Sequence, residues 1–210
     1  MKKGILIGLG AAISFLMACG DGNVIIQEDP DIQLEKDSIA IAAYLSEKGY
    51  DDYKITDTGT RYIILEEGDG LPIDESDIVS FDYTGILLSD TIFDTSIKSV
   101  GDSIRAHFLQ DSVGLADKSI HQTFLTLFSQ GKVYAPLTYT YSSSGWTINE
   151  QFITGFSDGV TETFKEMNVG GKSIIIIPSG IAYGTRGNGT LIAPNTPILF
   201  ELYPTKVIKQ

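Results

Sequence analysis

The chain has 210 residues, 42% of them hydrophobic and 10% aromatic, enough for one good-sized domain with a buried core or one domain with extensions. Its formal net charge of -12 argues against DNA, RNA or an anionic lipid surface as a partner, since each would repel it. One cysteine, Cys19, leaves no partner for a disulfide.

Residues 1–18 have the makings of a targeting segment. Lys2 and Lys3 form a charged start, and Ile5 to Phe15 an apolar stretch too short for a membrane span. The stretch ends in Leu16-Met17-Ala18-Cys19-Gly20, which resembles a bacterial lipoprotein signal. That resemblance implies lipidation of Cys19 as the first mature residue, and an exported protein held on a membrane of the cell envelope, periplasmic or outer-membrane, by its lipid. An ordinary secretory leader with a stray cysteine is the alternative. Residues 19–31 are polar and acidic, interrupted by Gly22 and Pro30, and read as a tether.

Residues 32–59 read as an N-terminal helical extension. Leu34, Ile41, Ala42 and Leu45, with Tyr44 beside them, have helical spacing over Ile32 to Lys48, and Gly49 makes a C-terminal stop. The remainder, 60–210, reads as one domain. Thr60 to Glu66 is a strand and Glu67 to Gly70 a turn. Ile78 to Gly85 alternates in and out, Ile86 to Leu88 continues it, and Ser89-Asp90 turns the chain into Thr91 to Asp94. From about residue 99 to 134 the chain reads as an ordered insertion. Ile120, Phe124, Leu127 and Phe128 predict an amphipathic helix, while Ser103 to Leu109 reads as a short strand or an irregular run.

Leu137 to Tyr141 alternates as a strand, Ser142 to Gly145 is a turn, and Trp146 to Asn149 leads to a helix. Phe156, Val160, Phe164 and Met167 form one buried stripe on that helix, which Gly170-Gly171 is expected to end. Ser173 to Ile177 is apolar without alternation, as in a central strand covered on both faces, and Ile198 to Leu202 is the last strand. Strands therefore dominate, with a short helix between the penultimate pair, and such a sheet buries its concave face by wrapping around that helix.

No metal or cofactor is expected. His107 and His121 lack a zinc-like spacing, and the Gly-rich run Gly184 to Gly189 precedes no helix, which excludes a dinucleotide loop. No activated nucleophile is apparent.

Taken in order, Tyr83-Thr84-Gly85, Phe93-Asp94-Thr95-Ser96, Gly155-Phe156 near a helix start, Ala182-Tyr183-Gly184 and Ile192-Ala193-Pro194 resemble the FKBP-type peptidyl-prolyl cis/trans isomerases over roughly residues 60–96 and 135–208. The resemblance implies an α+β, FKBP-like half-barrel, an antiparallel sheet wrapped around the short helix, and an apolar pocket that speeds X-Pro rotation without covalent chemistry. It implies catalytic roles for Tyr83, Phe93, Asp94, Ile153 (through its backbone N–H) and Tyr183. Tyr139, Phe152, Phe156, Leu191, Ile192 and Phe200 would contact substrate, with Tyr141 open as the alternative register for Tyr139. Phe156 stands where most members have Trp, which removes an indole N–H and some area.

The implied partners are proline-containing polypeptides, and no nucleic acid. Several exported relatives dimerise through an N-terminal helical region, so a homodimer stays open, although one short helix fits better with packing on its own domain. A non-catalytic binding or chaperone module that grips partners with the insertion is the competing reading, since fold does not dictate function.

Overall fold

Pro30 at the first helical position and Gly49 in the left-handed conformation bound helix α1 (Pro30–Lys48). Asp29 caps it, its side chain accepting the Asp31 N–H at 3.0 Å. The structure is a computed structural model that describes residues 29–110, 118–140, 153–189 and 191–210, with backbone alone at 118–121. The leader, Cys19, most of the tether and the turn expected at 142–145 lie outside these residues. No helix among those described is long and apolar enough to cross a membrane.

After α1 come the strands β1 (Lys54–Ile55), β2 (Arg61–Glu66), β3 (Ile78–Leu87) and β4 (Ile92–Thr95). Helices α2 (Lys98–Gln110) and α3 (Lys118–Leu127) follow, then β5 (Leu137–Thr140), α4 (Thr154–Phe164), β6 (Lys172–Ile177) and β7 (Ile198–Ile208). The sheet runs β1-β2-β6-β7-β3-β4 with every pairing antiparallel. One edge of β3 is shared: β5 takes its N-terminal half, from Ile78↔Thr140 to Phe81↔Leu137, and β4 its C-terminal half. This is the α+β arrangement expected from the sequence, an antiparallel sheet laid over a short helix.

The sheet is apolar on both faces, which explains the unalternating strands. Ile175 and Ile177 of β6, Tyr62 of β2 and Phe200 and Leu202 of β7 face α4. Their neighbours Ile174, Ile176, Ile63 and Leu199 face the other way, against Ile41, Tyr44 and Leu45 of α1. The N-terminal helix is thus the second cover of the sheet. Two of the apolar residues expected on its buried stripe, Leu34 and Ala42, are exposed, and the buried position is taken by Asp37 at 2% exposure. Burying a carboxylate requires partners. Among the described residues Asp37 has two: Gln33 Nε2 donates to Oδ1 at 2.7 Å, and the Ser179 backbone N–H donates to Oδ2 at 2.6 Å.

Helix α4 packs against β6 through two glycines, Gly155 and Gly159. A Cβ on Gly155 would stand 2.3 Å from Ile177 Cγ2, and one on Gly159 3.0 Å from Ile175 Cγ2. The row of residues next to these glycines carries the expected stripe, with Phe156, Val160 and Phe164 all buried. The helix ends at Phe164, earlier than expected. Met167 is still buried but beyond the helix, and Gly170-Gly171 instead forms the turn into β6, with Gly170 at φ +87.

The insertion is more helical than its sequence suggested. Ser103 to Leu109 is neither strand nor irregular but the body of α2. Val100, Gly101, Ile104, Arg105 and Phe108 are its less exposed positions, a helical stripe in which Gly101 and Arg105 interrupt the apolar side chains. Phe108 stacks on Phe124 of α3 with centroids 4.3 Å apart, and Phe124 in turn on Phe128 at 6.2 Å. The expected helix around Phe124 is present, with Phe124 and Phe128 buried and Leu127 on its exposed side.

Gly155→Ala should force α4 off β6 and destabilise the fold by about 1–3 kcal/mol, the usual range for overpacking. Urea unfolding measures it, and an unchanged midpoint would contradict the close-packed interface.

Candidate active site

The C-terminal half of β3 and the N-terminal half of β7, together with β4, carry a cluster of aromatic rings around Phe200. Its ring meets Phe156 of α4 at 4.7 Å and 78°, Phe93 of β4 at 5.6 Å and 81°, and Tyr83 of β3 at 6.1 Å and 62°. Edge-to-face contacts of this kind stabilise beyond the area they bury. Gly85 makes the cluster feasible. It pairs in register with Phe200 on one side and Asp94 on the other, and a Cβ there would stand 2.6 Å from Phe93 Cζ and 3.0 Å from Phe200 Cε1. The glycine of Tyr83-Thr84-Gly85 is therefore a demand of the rings beside it.

At the edge of these rings sits a polar group. The Tyr83 hydroxyl donates to Asp94 Oδ2 at 2.7 Å. Asp94 Oδ1 accepts from its neighbour's backbone, Thr95 N–H, at 2.8 Å, and from Lys132 Nζ at 2.6 Å. Thr95 and Ser96 clamp the strand that bears Asp94: Thr95 Oγ1 donates to the Tyr83 carbonyl at 2.9 Å, and Ser96 Oγ accepts the Tyr83 N–H at 2.9 Å. Burial first, and then the negative charge of Asp94 and its hydrogen bond, raise the Tyr83 pKa far above the ordinary tyrosine range. Burial likewise raises that of Tyr183, with Asp94 adding to it and a hydrogen bond to Asn188 opposing it.

A cavity of about 260 Å3 opens beside this group, lined by Phe93, Asp94, Tyr183, Leu191 and Ile192, with Thr123 and Leu127 of α3 completing the wall. Ile153 and Tyr183 line a neighbouring cleft of about 540 Å3 together with Ala182 and Arg186, so Tyr183 borders both spaces. The Ile153 carbonyl accepts the N–H groups of Phe156 and Ser157 at 3.0 and 3.3 Å, which holds its extended backbone at the start of α4.

Tyr83, Phe93, Asp94, Phe156, Tyr183, Leu191, Ile192 and Phe200 are thus brought together, with Ile153 at their margin. Tyr139 is not among them. It pairs with Val79 on the far half of β3, is buried at 1% exposure and packs edge-on against Phe164 at 6.2 Å. The pocket position expected for Tyr139 is corrected accordingly, because β5 reaches only the N-terminal half of β3. Phe152 and Tyr141 lie outside the described residues. Lys132, Thr123 and Leu127 were not anticipated: they enter from an insertion with no counterpart in the motifs, and no spacing relates Lys132 to Asp94. Among the described residues, no three or more His, Cys, Asp or Glu side chains converge as a metal site would need.

Residues 126–203 match the family described as FKBP-type peptidyl-prolyl cis-trans isomerase. The chain is 28% identical over 166 residues to a probable FKBP-type peptidyl-prolyl cis-trans isomerase FkpA of Neisseria meningitidis, covering 79% of this chain and 44% of that protein. It is 26% identical over 152 residues to the outer membrane protein MIP of Legionella longbeachae, covering 72% of this chain and 46% of the other. A shorter stretch of 57 residues is 40% identical to an FK506-binding protein of Neisseria meningitidis, 27% of this chain and 49% of that one. The chain thus spans somewhat under half the length of the first two of these curated relatives.

With its pKa raised, Tyr83 stays protonated in the folded state where a free tyrosine, at about pH 10, would ionise. The stability this contributes is complete below about pH 10 and is lost as the pH rises beyond it. Spectrophotometric titration at about pH 11 should therefore count the same number of phenolates in folded wild type and Tyr83→Phe. One phenolate fewer in the variant would show that Tyr83 titrates freely.

Proposed function

We propose that this chain is a peptidyl-prolyl cis/trans isomerase that accelerates X-Pro bond rotation in exported or envelope proteins. The observation that carries the reading is the ring cluster of Phe93, Phe156 and Phe200 with the Tyr83–Asp94 hydrogen bond at its edge, beside a cavity bordered by Tyr183. The family match over residues 126–203 supports it.

The chemistry asks for little more. Rotation about a peptide bond faces a barrier of about 18–20 kcal/mol because it breaks amide resonance. The twisted amide has lost its C–N double-bond character, and its carbonyl is less charge-separated than in the planar form. An apolar, water-poor pocket disfavours the planar form relative to the twisted one, which is differential stabilisation of the transition state. Phe93, Phe156, Leu191, Ile192 and Phe200 supply that medium. Asp94, the Tyr183 hydroxyl and the Ile153 N–H act as polar contacts that hold the flanking peptide while the bond turns. No covalent intermediate, and no proton transfer to a side chain, is required.

Location is part of the same proposal. The leader at 1–18 and Cys19 suit a lipid-anchored envelope protein, and one relative carries the name of an outer membrane protein. The chaperone alternative finds less support, because Thr123 and Leu127 of the insertion line the cavity itself.

Proline cis/trans exchange by NMR on a short X-Pro peptide tests the activity. Wild type should speed exchange, and Tyr183→Phe and Asp94→Ala should each lower the enhancement by up to about tenfold, the loss of one hydrogen bond. No acceleration by folded wild type would overturn the reading. For the anchor, Cys19→Ser should move the protein from the membrane pellet to the soluble fraction, and unchanged sedimentation would count against lipidation.

A further inference from the structure

The insertion forms a small core of its own, and what that core holds in place is a charge. Phe108, Phe124 and Phe128 stack in series, and Lys132 follows them in the chain. Its ammonium lies over the Phe128 ring at 4.9 Å and the Tyr134 ring at 5.2 Å, with only 18% of the side chain exposed. Cation–π contacts on two rings restrict a side chain that is otherwise among the most mobile. Tyr134 is seated tightly. A Cβ at Gly101 would stand 2.1 Å from its hydroxyl oxygen, and that hydroxyl is buried with no hydrogen-bond partner among the described residues. A buried, unsatisfied hydroxyl is unfavourable, so the value of the position lies in the ring beneath Lys132.

The free end of this arrangement reaches Asp94 Oδ1 at 2.6 Å, from 38 residues further along the chain. The carboxylate is thereby held on three sides, by Lys132, by the Thr95 N–H and by the Tyr83 hydroxyl. Without Lys132, Oδ1 keeps, among the described residues, its neighbour's backbone N–H, and the side chain, 41% exposed, is held less firmly against turning towards water.

We propose that Lys132 is a positioning residue for the isomerase reaction: it fixes the Asp94 carboxylate, and through it the Tyr83 hydroxyl, at the edge of the pocket. The inference rests on the isomerase reading and deepens it. It makes the insertion part of the active site, with α3 supplying wall through Thr123 and Leu127 and the following turn supplying the charge.

The test is a double-mutant cycle read by X-Pro peptide exchange in the full chain. Lys132→Met keeps the apolar stem on the two rings and removes the charge. It should lower kcat/KM by about tenfold, the scale of one charge-assisted hydrogen bond, and Lys132→Arg should restore most of it. Asp94→Asn should cause a similar loss, and adding Lys132→Met to it should cause no further loss, because Lys132 acts only through Asp94. A merely structural lysine would give no such rescue and no such non-additivity. Should Lys132→Met fail to fold, Lys132→Gln against Lys132→Arg makes the same comparison. Active wild type with unaffected Lys132→Met, or losses that add in full, overturns this inference alone. Inactive wild type overturns it together with the isomerase reading.

Discussion

Everything at the site depends on how near α4 can come to the sheet. Gly155 and Gly159 remove the side chains that would hold the helix away from Ile175 and Ile177. The helix then delivers Phe156 edge-on to Phe200, and Phe200 in turn meets Phe93 and Tyr83. A second glycine position, Gly85, does on β3 what Gly155 does on α4, clearing space so that rings from neighbouring strands can meet. The apolar pocket is therefore a product of missing atoms as much as of the aromatic groups that line it. Close packing makes such gaps consequential, since a single methyl group in either place has nowhere to go.

Against this apolar ground the polar elements are few and cooperative. Tyr83 donates to Asp94, and Asp94 accepts from Lys132, so two strands and the insertion share one short network. Thr95 and Ser96 hold the strand beneath it to β3. A network of this kind is worth having only when every member is satisfied. The raised pKa of Tyr83 fits that description, because a neutral hydroxyl facing a carboxylate is the one protonation state that satisfies both.

Most of the fold was legible in the sequence because its two covers leave separate signatures. The alternation of Ile78 to Gly85 marks a strand with one face less buried, and the unbroken run Ser173 to Ile177 marks a strand covered on both faces. The helical stripe of Phe156, Val160 and Phe164 was equally plain. Most aromatic residues of the candidate site were readable because motifs hold them at short range. What stayed hidden depends on distant segments. Lys132 meets Asp94 by a tertiary contact for which no spacing exists. Asp37 is buried where a periodicity argument expects an apolar side chain, because its partner, the Ser179 N–H, lies 142 residues away. Helix α2 escaped notice because its inner stripe uses Gly101 and Arg105 as well as Ile104 and Phe108. Tyr139 was misplaced because its strand's alternation gives the face but not which half of β3 the strand joins.

The bond between Asp37 and Ser179 bears on where the functional unit begins. Ser179 opens the turn that leads to Tyr183, and it is anchored from the N-terminal helix, on the opposite side of the sheet from α4. The motifs alone would draw the boundary of a minimal fragment near residue 60. A fragment cut there would expose Ile174, Ile176 and Leu199 and leave the Ser179 amide without its carboxylate. The helix that resembles an appendage in the sequence is, in mechanical terms, the back wall of the sheet that carries the candidate site.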